Sequence, residues 1–283
     1  MGEWSIVVHG GAKPIPPDRR EAFRRGTAAA VAAGTAVLAS GGTAVSAVHA
    51  AVVVLEADPT FNAGYGSVRN ADGEVECDAG IMDGSTVNVG AVAGVRRVRH
   101  PVSVAARMLQ ETPVLLVAEG AERFAREMGE ETCDPSELIP DVPTATEGDT
   151  VGCVAFDMSG SLAAATSTGG LEGTLPGRVG DSPLVGSGFY AENGVGAVAL
   201  SGTGEAIVRC VSAARLLWGE PGAPAEAIAR ELARLARLGG EAGVILINKD
   251  GRIHWDHSSP QFAVAFADST TPAQAFTQRT DTA

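Results

Sequence analysis

Apolar and polar positions along the chain change rhythm in ways that mark out its elements. Residues 4–8, WSIVV, are an apolar-rich run ending at His9-Gly10-Gly11, which predicts a short buried strand. A long helix follows from near Asp18 to the Gly41-Gly42 pair. Its Ala-rich part, residues 27–40, is shorter than the roughly 18 residues a membrane span needs and reads as a core helix. In TAVSAVHAAVVVLEAD, Thr43 is placed as an N-cap, and Val45, Val48, Val52 and Leu55 recur at helical spacing. Residues 61–84 are glycine-rich and then strand-like, residues 86–95 read as another strand, and helices are expected at 102–110 and 114–127.

Residues 129–149 break this rhythm. They combine prolines and acidic side chains with no apolar period, and predict a linker. Strands at 151–157 and 162–168 then form a hairpin around Met158-Ser159-Gly160. Further strands are expected at 196–201, 244–248 and 262–266, helices at 205–218 and 224–238, and a frayed, flexible tail from about 268 to 283. Strands and helices come in runs instead of strict alternation, which favours an antiparallel sheet packed between helices, an α+β fold. Each side of the linker has too few strands to bury a sheet, so both are expected to share one core, a single domain over residues 1–283.

Composition narrows the partners. The chain has 283 residues and a formal charge of −13, which argues against nucleic acid or an anionic membrane as partner. The amino end has no basic segment leading into an apolar stretch, and position 6 is Ile where a myristoylation signal needs Ser or Thr. Cys77, Cys133, Cys153 and Cys210 are scattered without a CxxC pair, which fits a reducing, cytoplasmic setting better than a zinc site or disulfide framework. No G-x-S-x-G elbow accompanies the lipase-like HGGA at 9–12, so a serine esterase has no support. HWDH at 254–257 is placed in a loop and matches no zinc motif, and no phosphate-binding loop is present.

What remains is a concentration of hydroxyls and glycines between 148 and 205. Thr166 and Thr168 lie two apart in a strand, hence on one face. Arg178 and Asp181 lie three apart in a glycine-flanked loop, and SGTGE at 201–205 ends a strand and starts a helix whose free N–H groups can hold an oxyanion. Singly, each has an ordinary reading: threonine is a normal strand residue, and such an Arg/Asp pair is more often a surface ion pair. Thr150 stands where the loose segment meets a buried strand. A hydroxyl nucleophile needs a proton acceptor, and no histidine lies in this segment. One solution cuts the chain before Thr150, so that its own α-amine, with a pKa of about 7.7–8, becomes the base.

DTVGCVAFDMSGSLAAATSTGG, LPGRVGDSPLVGSGFYA and SGTGE, together with VVHGGA, LEADPTFNAGYGS and DAGIMDGSTVNVGAVAG, resemble the plant-type L-asparaginase/isoaspartyl peptidase family, which belongs to the N-terminal nucleophile (Ntn) hydrolases. The resemblance spans most of residues 6–210. It implies a four-layer αββα sandwich with two mostly antiparallel sheets between helical layers. It also implies self-cleavage of the Asp149–Thr150 bond into a 1–149 α subunit and a 150–283 β subunit, with Thr150 as nucleophile and Thr168 touching it. Arg178 would pair with the substrate α-carboxylate and Asp181 with its α-ammonium, while Ser201 and Gly202 would form the oxyanion hole and Gly202 and Gly204 line the substrate. Asn62 would steady the nucleophile.

The same resemblance implies no cofactor for catalysis and a structural sodium ion held by main-chain carbonyls of Leu55, Glu56, Asp58, Phe61, Ala63 and Tyr65. The implied substrates are L-asparagine and β-aspartyl dipeptides, and the implied assembly is a homo-oligomer, a dimer of αβ protomers. Two positions depart from the plant-type pattern: Ser201 stands where Thr is usual, and Asp149 where Gly is usual. The Asp-Thr junction is more like glycosylasparaginases, so hydrolysis of N-glycosyl-asparagine is an alternative activity, and a relative that never cleaves itself is another.

Overall fold

The computed structural model describes residues 2–140, 149–219 and 223–278. In chain order, β1 (Ser5–His9) leads through a 3-10 turn at Pro17–Arg19 into α1 (Arg20–Ala39). Thr43 caps α2 (Ala44–Ala57) by accepting a hydrogen bond from the Ser46 amide at 3.2 Å. Then come β2 (Cys77–Asp83), β3 (Val89–Val95), α3 (Pro101–Met108), β4 (Leu115–Val117) and α4 (Ala118–Glu127). The expected hairpin is β5 (Thr150–Phe156) and β6 (Leu162–Thr168), followed by β7 (Phe189–Glu192) and β8 (Gly196–Gly202). Helices α5 (Gly204–Cys210), α6 (Ser212–Trp218) and α7 (Pro224–Arg237) precede β9 (Ala242–Asn248), β10 (Ile253–His257), β11 (Val264–Asp268) and β12 (Gln274–Phe276).

Among the described residues the strands form two sheets, one of order β12-β11-β1-β5-β6-β2-β3-β4 and one of order β10-β9-β8-β7. All pairings are antiparallel except β3 with β4. This is an α+β fold. Alternation along the strands divides the core. Ile6, Val8, Cys153 and Ala165 of the larger sheet pack with α1 to α4 through Val31, Val48, Leu55, Val102 and Ala121. Val7, Val154 and Ala164 point the other way, onto Phe189, Ala197, Ile245 and Phe262. The far face of the smaller sheet, with Val198, Leu200 and Val244, packs on Ile207, Ala213, Ile228 and Leu235 of α5 to α7. Strands from both sides of the 129–149 segment therefore share the larger sheet and the two apolar clusters on its faces.

Four local expectations need correction. Residues 114–117 do not begin a helix: Leu115–Val117 pairs with β3, because this β-prone apolar triplet satisfies the open edge of that strand. The helix expected over 205–218 is broken at Val211, whose φ of 52° is left-handed. There the amides of Ala213 and Ala214 donate to the Ser187 and Gly186 carbonyls instead of continuing the first helix. HWDH lies in strand β10, not a loop. The tail is not frayed up to residue 278, since Gln274–Phe276 pairs with β11 and Thr277 is buried. Within the linker, Asp134 caps a 3-10 turn at Pro135–Leu138 and Leu138 is buried, while residues 141–148 lie outside the described residues.

Candidate active site

The hairpin decides where the hydroxyls meet. Its open end pairs Thr150 with Thr168, and Thr168 in turn with Asp78 of β2, so three polar side chains lie abreast at one end of the larger sheet. All three are buried. Just ahead of Thr150, the carbonyl oxygen of Asp149 accepts two hydrogen bonds, from Asn62 Nδ2 at 3.0 Å and from Thr168 Oγ1 at 3.2 Å. Asn62 is itself fixed: its Nδ2 also donates to the Gly170 carbonyl at 2.7 Å, and its Oδ1 accepts from the Val68 amide at 3.0 Å. Two donors thus converge on the carbonyl of the peptide bond that joins residues 149 and 150.

The Asp149 side chain is equally enclosed. Its Oδ1 accepts from the Ala12 amide at 3.1 Å, from the Thr150 amide at 2.9 Å and from Ser201 Oγ. Its Oδ2 lies 4.0 Å from Lys13 Nζ. Burial raises the Asp149 pKa, and the Lys13 charge opposes the shift. The His9-Gly10-Gly11 segment explains its glycines here: Gly11 has φ of 110°, and a Cβ on it would overlap the Asp149 carboxylate. His9 itself is fully buried, and burial pushes its pKa down to about 3, so it is neutral.

Thr150 Oγ1 shares a 2.8 Å hydrogen bond with Ser182 Oγ, and Thr166 Oγ1 anchors that turn by donating to the Ser182 carbonyl at 2.6 Å. Beside it, Asp181 is buried, and burial raises its carboxyl to about 7. Arg178 meets Glu205 in a two-pronged contact, Nε at 2.9 Å and Nη2 at 3.0 Å. A Cβ on Gly204 would sit 2.9 Å from Arg178 Nη2 and 3.0 Å from Asp181 Oδ1, so this position leaves room for both charges. Thr150, Thr168, Arg178, Asp181, Gly202 and Gly204 line one cavity of about 260 Å³, and Lys13, Asp149, Ser182 and Glu205 share its wall.

A threonine hydroxyl, a carboxyl group and a guanidinium thus line one cavity, an arrangement suited to a small zwitterion. The family model for asparaginase matches residues 2–144 and 140–277. The chain belongs to the asparaginase family. The isoaspartyl peptidase/L-asparaginase of Rattus norvegicus is 43% identical over 270 residues, covering 87% of this chain and 80% of the rat protein. That of Danio rerio is 43% identical over 283 residues, covering 93% and 91%. The isoaspartyl peptidase of Salmonella typhimurium is 40% identical over 286 residues, covering 89% and 91%.

Within this asparaginase-family chain, the six residues expected to ring a sodium ion lie at the end of α2 and in the loop after it. The carbonyls of Leu55, Glu56 and Asp58 accept from the amides of Asp58, Tyr65 and Phe61 at 3.3, 2.7 and 3.1 Å, which folds the loop back on itself. A Cβ on Gly66 would overlap the Phe61 carbonyl, and one on Gly64 would lie 2.7 Å from that of Glu56. These are neutral carbonyl oxygens, three of them engaged by main-chain amides, and glycine at 64 and 66 keeps side chains clear of those of Glu56 and Phe61. Among the described residues no cluster of His, Cys, Asp and Glu could hold a metal, and no helix is long and apolar enough to cross a membrane.

Sequence reasoning brought Asn62, Asp149, Thr150, Thr168, Arg178, Asp181, Ser201, Gly202 and Gly204 to this site, and the structure gathers them. It missed three neighbours. Ser182 follows Asp181 directly, Lys13 follows the HGGA motif, and Glu205 closes SGTGE. Only position beside a motif residue could have flagged them, because each reaches the site through the fold and not through a spacing rule.

Proposed function

We propose that this chain is an amidohydrolase that cleaves the side-chain amide of L-asparagine and of β-aspartyl dipeptides, with Thr150 as its nucleophile. The observation that carries the reading is the pair of donors, Asn62 Nδ2 and Thr168 Oγ1, aimed at the Asp149 carbonyl. When Thr150 Oγ1 attacks the Asp149 carbonyl carbon, charge develops on that oxygen, and these donors stabilise it. The C–N bond breaks, the acyl group passes to the hydroxyl, and water hydrolyses the ester. The products are a 1–149 fragment ending in Asp149 and a 150–283 fragment beginning with a free amine.

That amine then accepts the proton of its own hydroxyl. Arg178 holds the substrate α-carboxylate and Asp181 its α-ammonium, which places the side-chain carbonyl on Thr150 and its oxygen between Ser201 and Gly202. Attack gives a β-aspartyl ester on Thr150 and releases ammonia or an amino acid; water regenerates the enzyme. In the uncleaved chain Glu205 holds Arg178 through Nε and Nη2. A substrate carboxylate must displace Glu205 or share the guanidinium with it.

The three stacked apolar clusters support reading the fold as a four-layer αββα sandwich of the Ntn-hydrolase kind, a single domain before and after the cut. A sodium ion held by the carbonyls of Leu55, Glu56, Asp58, Phe61, Ala63 and Tyr65 would stiffen the loop that carries Asn62. Edge strand β4 exposes Leu115 and Val117, which supports pairing of two protomers. A cytoplasmic setting is supported by four free cysteines.

The test is turnover. Purified protein is expected to release ammonia from L-asparagine and leucine from β-aspartyl-leucine, and Thr150→Ala should lose at least about 10⁴-fold in both. Retained turnover in Thr150→Ala would remove the nucleophile from the reading.

A further inference from the structure

Lys13 is a buried lysine on the wall of the cavity, 4.0 Å from the Asp149 carboxylate. That carboxylate is held by the Ala12 amide and Ser201 Oγ as well, so the wall presents an anion pocket that the chain fills with its own residue 149. Asp149 Oδ1 is also only 2.9 Å from the Thr150 nitrogen. A group leaving from a substrate must occupy this same volume, because its nitrogen takes a proton from the Thr150 amine and has to come within about 3 Å of it. Cleavage severs Asp149 from Thr150, and productive binding requires Asp149 to withdraw. The space that the carboxylate vacates then faces Lys13 Nζ and the Ala12 amide.

We propose that Lys13, with the Ala12 amide, forms a subsite for the α-carboxylate of the amino acid released from a β-aspartyl dipeptide. The proposal rests on the reading of Thr150 as nucleophile. In such a dipeptide the leaving nitrogen and the carboxylate carbon are separated by one Cα, with bonds of about 1.46 and 1.52 Å, hence by roughly 2.5 Å. A nitrogen beside the Thr150 amine therefore carries its carboxylate into the space that Asp149 Oδ1 fills before cleavage. A β-aspartyl dipeptide brings one ammonium and two carboxylates, and Asp181, Arg178 and Lys13 are their counterparts on the wall once Glu205 is displaced from Arg178 and Asp149 has withdrawn. Asparagine releases ammonia and has no second carboxylate, so Lys13 favours peptides over the free amide.

The experiment compares β-aspartyl-leucine with its C-terminal amide, using mature enzyme with active sites counted from the free Thr150 amino terminus. The quantity read is the ratio of kcat/KM for acid over amide. Wild type should prefer the acid by roughly ten- to a hundredfold, the size of a charge-assisted hydrogen bond. Lys13→Met should bring the ratio to within about threefold of one, and Lys13→Arg should keep the preference. An equal ratio in wild type and Lys13→Met overturns the proposal. If Lys13→Met fails to mature, the wild-type ratio decides by itself: a value near one overturns the subsite, and a value above ten supports it. Failure of the Thr150 reading looks different, because asparagine, dipeptide and amide would all go unhydrolysed.

Discussion

Asn62 Nδ2 donates to the Asp149 carbonyl oxygen across 3.0 Å, tying a loop at the end of one helix to a peptide bond 87 positions further along the chain. A donor already aligned on a carbonyl that must become an oxyanion costs nothing to reorganise when the charge appears. Asn62→Ala is therefore expected to slow self-cleavage by roughly 10²- to 10³-fold while the fold persists. Time-resolved intact mass of freshly refolded protein reads this rate, and a variant that cleaves as fast as wild type would remove Asn62 from the step.

Glu205 sets a brake on Arg178. The contact is two-pronged, but Glu205 is largely exposed, and pairs of that kind contribute about 1 kcal/mol or less. Glu205→Gln should lower the KM for asparagine by up to about fivefold, since the guanidinium no longer exchanges one carboxylate for another. Arg178→Lys should raise KM at least about tenfold, because an ammonium lacks the fork that grips a carboxylate. Initial rates across substrate concentration separate the two outcomes. An unchanged KM in both variants would place the α-carboxylate elsewhere.

Asp181 gives the reaction its acid limb. Burial raises its carboxyl to about 7, and only the carboxylate attracts an α-ammonium. As pH falls below about 8 the Thr150 amine, of ordinary pKa about 7.7–8, is protonated and kcat/KM should fall with a slope of one, approaching two below about 7 as Asp181 is protonated as well. A raised carboxyl also has a stability consequence. Between about pH 4 and 7 the native protein binds a proton at Asp181 that the unfolded chain has released, so this group's contribution to stability declines as pH rises through that window. Asp181→Asn removes the contribution, and its Tm relative to wild type should rise from pH 4 to pH 7. A pH-independent difference would contradict the shifted carboxyl.

Elements built on local chemistry were readable from the residues alone. The Thr43 cap of α2, the turn at 158–160 and the strands around it follow from side-chain capping, glycine punctuation and alternation. What escaped was set by tertiary partners. β7 and β12 have four and three residues, too few for a period to register, and form because a sheet edge awaits them. The break at Val211 depends on carbonyls of the 186–187 loop, which no helical pattern reveals. The site divides in the same way: Thr150, Thr168, Arg178 and Asp181 stand in ordered motifs, whereas Lys13 and Ser182 matter only because the glycine loop and the 181–182 turn close over the hairpin end.

The whole reading depends on a freed Thr150 amine, and mass spectrometry of the intact protein tests that most directly. After prolonged incubation the wild type should resolve into two species, residues 1–149 and 150–283, and Thr150→Ala should remain a single species at the 28.7 kDa of the full chain. Fully active protein with an unbroken chain, or cleavage at any bond other than 149–150, would contradict the account.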